Sequence, residues 1–168
     1  MEFSMGQTQI KVDEKGRMSL PIQAHDLLED QSLVLSLSVY EKRVFLELLS
    51  LKDWQQKLDA LNDLPMNHPK TKALKRFMLS GSIKVSVDKQ NRITVPQQQR
   101  DALGLHREAI VINLENKYEL WSLDRWKETF GSLVDGMEDL ESWAFDQSED
   151  NKDDKSKEGE SNGLKSAA

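Results

Sequence analysis

The 168 residues carry a formal net charge of −6 and contain no cysteine, which excludes disulfides, thiolate metal sites and cysteine nucleophiles. No run approaches the roughly 18 consecutive apolar residues of a membrane helix, and Met1-Glu2-Phe3-Ser4-Met5 lacks the basic start and apolar run of a signal peptide, so the expectation is a soluble intracellular protein. The charge is uneven: residues 1–130 hold 19 Lys+Arg against 18 Asp+Glu, a net of +1, and residues 131–168 hold 4 against 11, a net of −7. The acidity belongs to the tail and does not argue against a nucleic-acid partner for the rest.

The chain repeats itself. Ile10-Lys-Val-Asp-Glu-Lys-Gly-Arg-Met-Ser-Leu-Pro21 is answered by Val85-Ser-Val-Asp-Lys-Gln-Asn-Arg-Ile-Thr-Val-Pro96 at an offset of 75 residues, so that Asp13 meets Asp88, Gly16 meets Asn91, Arg17 meets Arg92 and Pro21 meets Pro96. A second match, Glu47-Leu-Leu-Ser-Leu-Lys-Asp-Trp54 against Glu119-Leu-Trp-Ser-Leu-Asp-Arg-Trp126, has an offset of 72. The expected organisation is a first repeat over 6–61, a linker over 62–81, a second repeat over 82–130 and an acidic tail over 131–168.

Each repeat opens with period-2 alternation. Ile10 and Val12 face one way around Lys11, and Met18 and Leu20 flank Ser19, which predicts two strands. Between them lies Asp-x-x-Gly/Asn, whose last residue, Gly16 or Asn91, tolerates positive φ and suits a tight hairpin. Pro21 and Pro96 end the second strand and are placed to begin a short helix. Leu33-Val-Leu-Ser-Leu with Val44-Phe-Leu-Glu-Leu, and Ala109-Ile-Val-Ile-Asn with Tyr118-Glu-Leu-Trp, read as further strand pairs. Ser50 and Ser122 sit where helix N-caps belong, Asp53 giving the first a short capping box, and Trp54, Leu58 and Leu61, or Trp126 and Phe130, follow at helical spacing. The fold class predicted is α+β, each repeat running β-β-α-β-β-α.

In the linker, Leu74, Phe77 and Met78 recur at helical spacing with Lys70, Lys72, Lys75 and Arg76 on other faces, a basic amphipathic helix whose default role is a solvated face. Leu133, Leu140 and Trp143 mark a weaker helical stretch, and from Asp146 to Ala168 the near absence of large apolar residues predicts disorder.

The hairpins carry the candidate chemistry. Lys15 and Arg17, or Lys89 and Arg92, with Lys11 and Lys84 on the adjoining strands, are placed to take phosphates or guanine edges, while Asp13 and Asp88 hold the turns by accepting backbone N–H groups. A β-ribbon fits the major groove. The plainer reading is that each Asp and Arg close a salt bridge across their own turn; what favours function is that both copies keep Asp, Arg and Pro. His25, His68 and His106 lie apart at unrepeated positions, and no phosphate loop or nucleophile elbow is present, so neither an enzyme, a metal, a cofactor nor a small-molecule substrate is expected. The four tryptophans and Phe77 are expected in the core rather than as base-stacking platforms.

Thr8-Gln-Ile-x-x-Asp-x-Lys-Gly-Arg17, Val85-x-Val-Asp-x-x-x-Arg-Ile-x-Val-Pro96 and Lys117-Tyr-Glu-Leu-Trp-x-x-x-x-Trp126, in that order over about residues 6–130, resemble the MraZ family. The resemblance implies a tandem AbrB/SpoVT-like swapped-hairpin barrel shared by the two repeats and a ring-shaped homo-oligomer. It also implies a nucleoid-associated cytoplasmic repressor that binds promoter direct repeats in double-stranded DNA ahead of the division and cell-wall gene cluster, its own gene included. The family's Asp-x-x-x-Arg falls on Asp13 and Arg17 and on Asp88 and Arg92. The chain departs from the pattern in Ser4-Met5-Gly6, where a basic residue is usual, in Gln90-Asn91 at the second turn, and in its long acidic tail. A rival reading is an antitoxin-like protein-interaction module acting through that tail.

Overall fold

The computed structural model describes residues 6–115 and 117–148, in two compact units that divide between Lys127 and Glu128. In the first unit the chain runs β1 (Gly6–Lys11), β2 (Arg17–Ser19), a 3-10 helix (Ile22–Leu27), β3 (Ser32–Tyr40), β4 (Arg43–Leu49), α1 (Leu51–Asn62) and α2 (Pro69–Ser80). It continues through β5 (Ser82–Ser86), β6 (Arg92–Thr94), α3 (Gln97–Leu103), β7 (Glu108–Asn113) and β8 (Tyr118–Ser122) into α4 (Leu123–Asp135), which crosses the boundary. The result is a mixed α+β arrangement in which the β-β-helix-β-β-helix order occurs twice, separated by α2.

Six strands form one antiparallel sheet in the order β1-β7-β8-β4-β3-β5, and β2 and β6 pair with each other. The two repeats are therefore interleaved: β1 of the first pairs with β7 of the second, Thr8 opposite Val111, and β5 of the second pairs with β3 of the first, Leu33 opposite Val85. In the small ribbon Met18 lies opposite Ile93, and both are buried.

Strand alternation sets the two faces. Leu33, Leu35, Leu46, Leu48, Val111 and Leu120 point into one large cluster with Met18, Leu20, Ile93 and Val95 from the ribbon. The intervening residues Phe45, Ile110 and Trp121 form a second cluster with Leu123 and Trp126, in which Phe45 and Trp121 stack with ring centroids 4.5 Å apart. Central strands buried on both faces read as apolar runs, which is why Leu33-Val-Leu and Ile110-Val-Ile are hydrophobic at successive positions. On the second face Glu47 is buried and held by ion pairs from Lys57 and Lys117, while Glu119 opposite it accepts from Trp121 Nε1 at 2.9 Å; a carboxylate out of water needs such partners.

Three expectations are corrected. Ser50 Oγ does cap α1, accepting from Asp53 N at 3.0 Å, but the buried Ser122 Oγ has no hydrogen-bond partner and caps nothing. Phe77 is not core; it is 38% exposed and, with Leu74, rims an apolar groove of about 360 Å³ between α1, α2 and β3, with Met78 turned inward. Trp143 is 64% exposed, on a helix over 137–148 in the second unit whose Met137 and Leu140 are also exposed. That helix includes 146–148, at the head of the stretch expected to be disordered; its remainder lies outside the described residues. Among the described residues no helix is long and apolar enough to cross a membrane.

Candidate nucleic-acid interface

The two hairpin turns are built alike. Asp13 Oδ1 accepts from the backbone N–H groups of Lys15 and Arg17, each at 2.9 Å, while its Oδ2 accepts from Arg17 Nε at 2.6 Å. Asp88 Oδ1 accepts from Gln90 N and Arg92 N, each at 2.9 Å, and its Oδ2 from Arg92 Nε at 2.9 Å. One carboxylate thus closes each turn and orients the arginine that follows it. The salt bridge foreseen as the plainer reading is made in both copies, yet it uses only Nε, and a guanidinium carries five donors. Both arginines keep about a third of their side-chain surface exposed.

The bonds to backbone N–H of Arg17 hold the Asp13 carboxyl below its ordinary pKa, helped by the Arg17 side chain and Lys15 N. For Asp88 desolvation works in the opposite direction, and the bonds from Arg92 and Gln90 outweigh it, so its pKa is lowered too. A lowered folded-state pKa favours the charged form, so the bracing is complete above the ordinary aspartate range and is lost only as pH falls below it.

The turns do not stand clear of the body. Gly16, at φ +82°, is buried: Gly16 O accepts from Val95 N at 2.8 Å, and Asn91 O accepts from Leu20 N at 3.0 Å. Each turn is thus clipped to the strand end of the other repeat, just before that repeat's proline. What each hairpin exposes is its shoulder, Glu14 and Lys15 in the first, Lys89 and Gln90 in the second. Asn91, at φ +59°, takes the glycine role and adds a bond of its own, Nδ2 donating to Leu20 O at 3.0 Å.

Of the remaining expected contacts, Lys11 lies at the exposed end of β1 opposite Glu108 and lines a cleft of about 690 Å³ beside Asp13. Lys84 is exposed in the middle of β5, opposite Val34, farther along its strand from the turn than Lys11 is from Asp13. Two residues of that cleft had no motif to announce them. Arg100, on α3, donates from Nε to Val95 O at 3.0 Å and from Nη1 to Glu14 O at 3.5 Å; Arg107 is exposed, and its carbonyl accepts from Val12 N. The 75-residue offset puts His25 at the place of Arg100, which is why neither stood out as repeated.

A family model described as "MraZ protein, putative antitoxin-like" matches residues 3–77 and again 78–147, once for each copy. The chain belongs to the MraZ family. A relative from Pediococcus pentosaceus, the "Transcriptional regulator MraZ", is 29% identical over 141 residues, covering 81% of this chain and 92% of that protein. The double family match falls on the two sets of strands that carry Asp13–Arg17 and Asp88–Arg92.

Proposed function

We propose that the protein is a sequence-specific, double-stranded DNA-binding transcriptional regulator, a repressor acting on promoter direct repeats ahead of the division and cell-wall gene cluster and of its own gene. The observation that carries the reading is the pair of matched hairpins, each with an arginine oriented by a carboxylate and tied to the opposite repeat. An arginine held in place loses less freedom on meeting a phosphate or a guanine edge than a mobile one. Membership of a family with a named transcriptional regulator supports it.

In this reading the interleaved strands make an AbrB-like swapped-hairpin barrel shared by repeats 6–61 and 82–130, with 62–81 as linker. Lys11, Lys15, Arg17, Lys84, Lys89 and Arg92 contact DNA, while Asp13, Gly16, Asp88 and Asn91 shape the turns. Each contact is weak alone; a ring-shaped homo-oligomer presents several in register, and their linkage raises the affinity. The protein then works in the cytoplasm, associated with the nucleoid.

The test is binding of the full chain to the DNA upstream of its own gene at two salt concentrations, beside an Arg17→Ala plus Arg92→Ala variant. Salt-sensitive binding that the variant loses by about 100-fold, at about 1–3 kcal/mol per arginine contact, is the expected result. Equal binding by both proteins would overturn the hairpin interface.

A second reading, an antitoxin-like module that holds a protein partner, draws on the exposed Met137, Leu140 and Trp143 beside Glu138, Asp139 and Glu141. Removal of residues 137–168 separates the two: it leaves DNA binding intact if the hairpins act alone, and abolishes the cellular activity if the tail carries it.

A further inference from the structure

The two hairpins satisfy the same carbonyl, that of the residue before the proline, from different side chains. In the second, the neutral amide of Asn91 reaches Leu20 O. In the first, the matching residue is Gly16, where an added Cβ would lie 2.4 Å from Val95 O and 2.7 Å from Arg100 Nε. The Arg100 guanidinium fills that room, bonding Val95 O from Nε and reaching Glu14 O from Nη1. Those bonds use two of its five donors and leave a cation beside the hairpin that carries Arg17. The counterpart of Arg100 is His25, and both His25 Nε2 and Asn91 Oδ1 are buried without a hydrogen-bond partner. The second clasp is therefore made by a neutral amide and is incompletely bonded, and a buried polar atom left unpaired weakens the state that buries it.

The surroundings of the two hairpins differ in charge as well. The residue whose carbonyl accepts from Val12 N is Arg107, and the one whose carbonyl accepts from Val87 N is Gln31. Lys11 is matched by Ser86. Glu14, matched by Lys89, and Gln9, matched by Lys84, run the other way, and the remaining acids of the cleft are Asp13, paired with Arg17, Asp101, which accepts from Gln97 Nε2, and Glu108, which accepts from Gln9 Nε2.

We propose that the two hairpins are unequal: the first, with Arg100 as its positioning residue and an added cation, carries the larger share of contact with the DNA backbone. This rests on the DNA-binding reading above. Phosphate contacts reveal themselves in salt dependence, each one steepening the fall of log affinity with log salt by about 0.9 on duplex DNA.

The experiment compares Arg17→Ala, Arg92→Ala, Arg100→Gln and Arg100→Lys in the full chain, on the DNA upstream of its own gene across a salt series. Arg17→Ala is expected to weaken binding at least about three-fold more than Arg92→Ala. Arg100→Gln keeps a donor for Val95 O while removing the charge; its salt slope should become shallower by about 0.9, and Arg100→Lys should restore it. Equal losses in Arg17→Ala and Arg92→Ala overturn the inequality, and a slope unchanged in Arg100→Gln overturns the part given to Arg100, since a merely loosened turn would lower affinity at constant slope. Should Arg100→Gln fail to fold, as read from circular dichroism, the two alanine variants decide. If the wild-type chain shows no salt-sensitive binding, the DNA reading itself has failed, which is a separate outcome.

Discussion

At Gly16 a single methyl group meets two obstacles at once. The backbone sits at φ +82°, where an L side chain is strained, and the Cβ position falls 2.4 Å from Val95 O, a backbone atom that cannot swing aside. Gly16→Ala is expected to destabilise the protein by about 2 kcal/mol or more, from backbone strain plus displacement of the clipped turn, measured as a lowered denaturant midpoint at unchanged slope. An unaltered midpoint would mean that the two turns are not clasped in solution. The need for a positive-φ residue was legible in Asp-x-x-Gly and Asp-x-x-Asn, because few residue types stand there for other reasons. That Asn91 reaches Leu20 O, and that Arg100 reaches Val95 O, was not legible: the first bond spans 71 residues, and the second depends on a helix and a turn brought together by the fold.

At the scale of elements, matched sequences gave unequal structures where one local signal differed. Both post-proline segments start alike, but α3 ends on Gly104 at φ +61°, whose N–H bonds back to Arg100 O and Asp101 O, whereas the first repeat has Glu29 there and Leu28 leaves the 3-10 helix in an extended conformation. A left-handed C-terminal residue lets a helix close its last carbonyls, so the first repeat makes only 3-10 turns. The serines before α1 and α4 divide similarly. Ser50 Oγ accepts from Asp53 N and donates to Asp53 Oδ2, while Ser122 Oγ is buried without a partner. Ser50→Ala should cost about 1 kcal/mol, and Ser122→Ala should be near neutral or slightly stabilising, since it removes a buried hydroxyl with no bond to lose. Thermal melts of the two variants check this; equal losses would mean that Ser122 caps α4 after all. The N-cap motif predicted both positions from sequence, but Ser122 also ends β8 opposite Ala109, and its place in the strand decided where its side chain points.

For the first unit as a whole, period-2 alternation told which residues face inward but not which strand lies next door, because a buried apolar face fits any neighbour of the same kind. The consequence is an interleaving that neither repeat can satisfy alone. A fragment of residues 1–81 keeps the β3–β4 pairing but removes β7 from β1, β6 from β2, β5 from β3 and β8 from β4. It would leave Met18, Leu33, Leu35, Leu46 and Leu48, all buried within a cluster completed by Ile93, Val95 and Leu120, facing water. At about 2 kcal/mol for each fully buried large apolar side chain, those five alone exceed the lower end of the stability typical of a domain. The fragment is therefore expected to be unfolded as a monomer at micromolar concentration. The repeat offers one way out: β2 of a second fragment can stand in for β6, and its β3 for β7, so any folded form should be a dimer whose melting temperature rises with concentration. Circular dichroism melts with sedimentation velocity over a concentration series read both quantities. A folded monomer of residues 1–81 would show that each repeat holds its own core, and the interleaved pairing would then be a contact between finished halves instead of the means by which they fold.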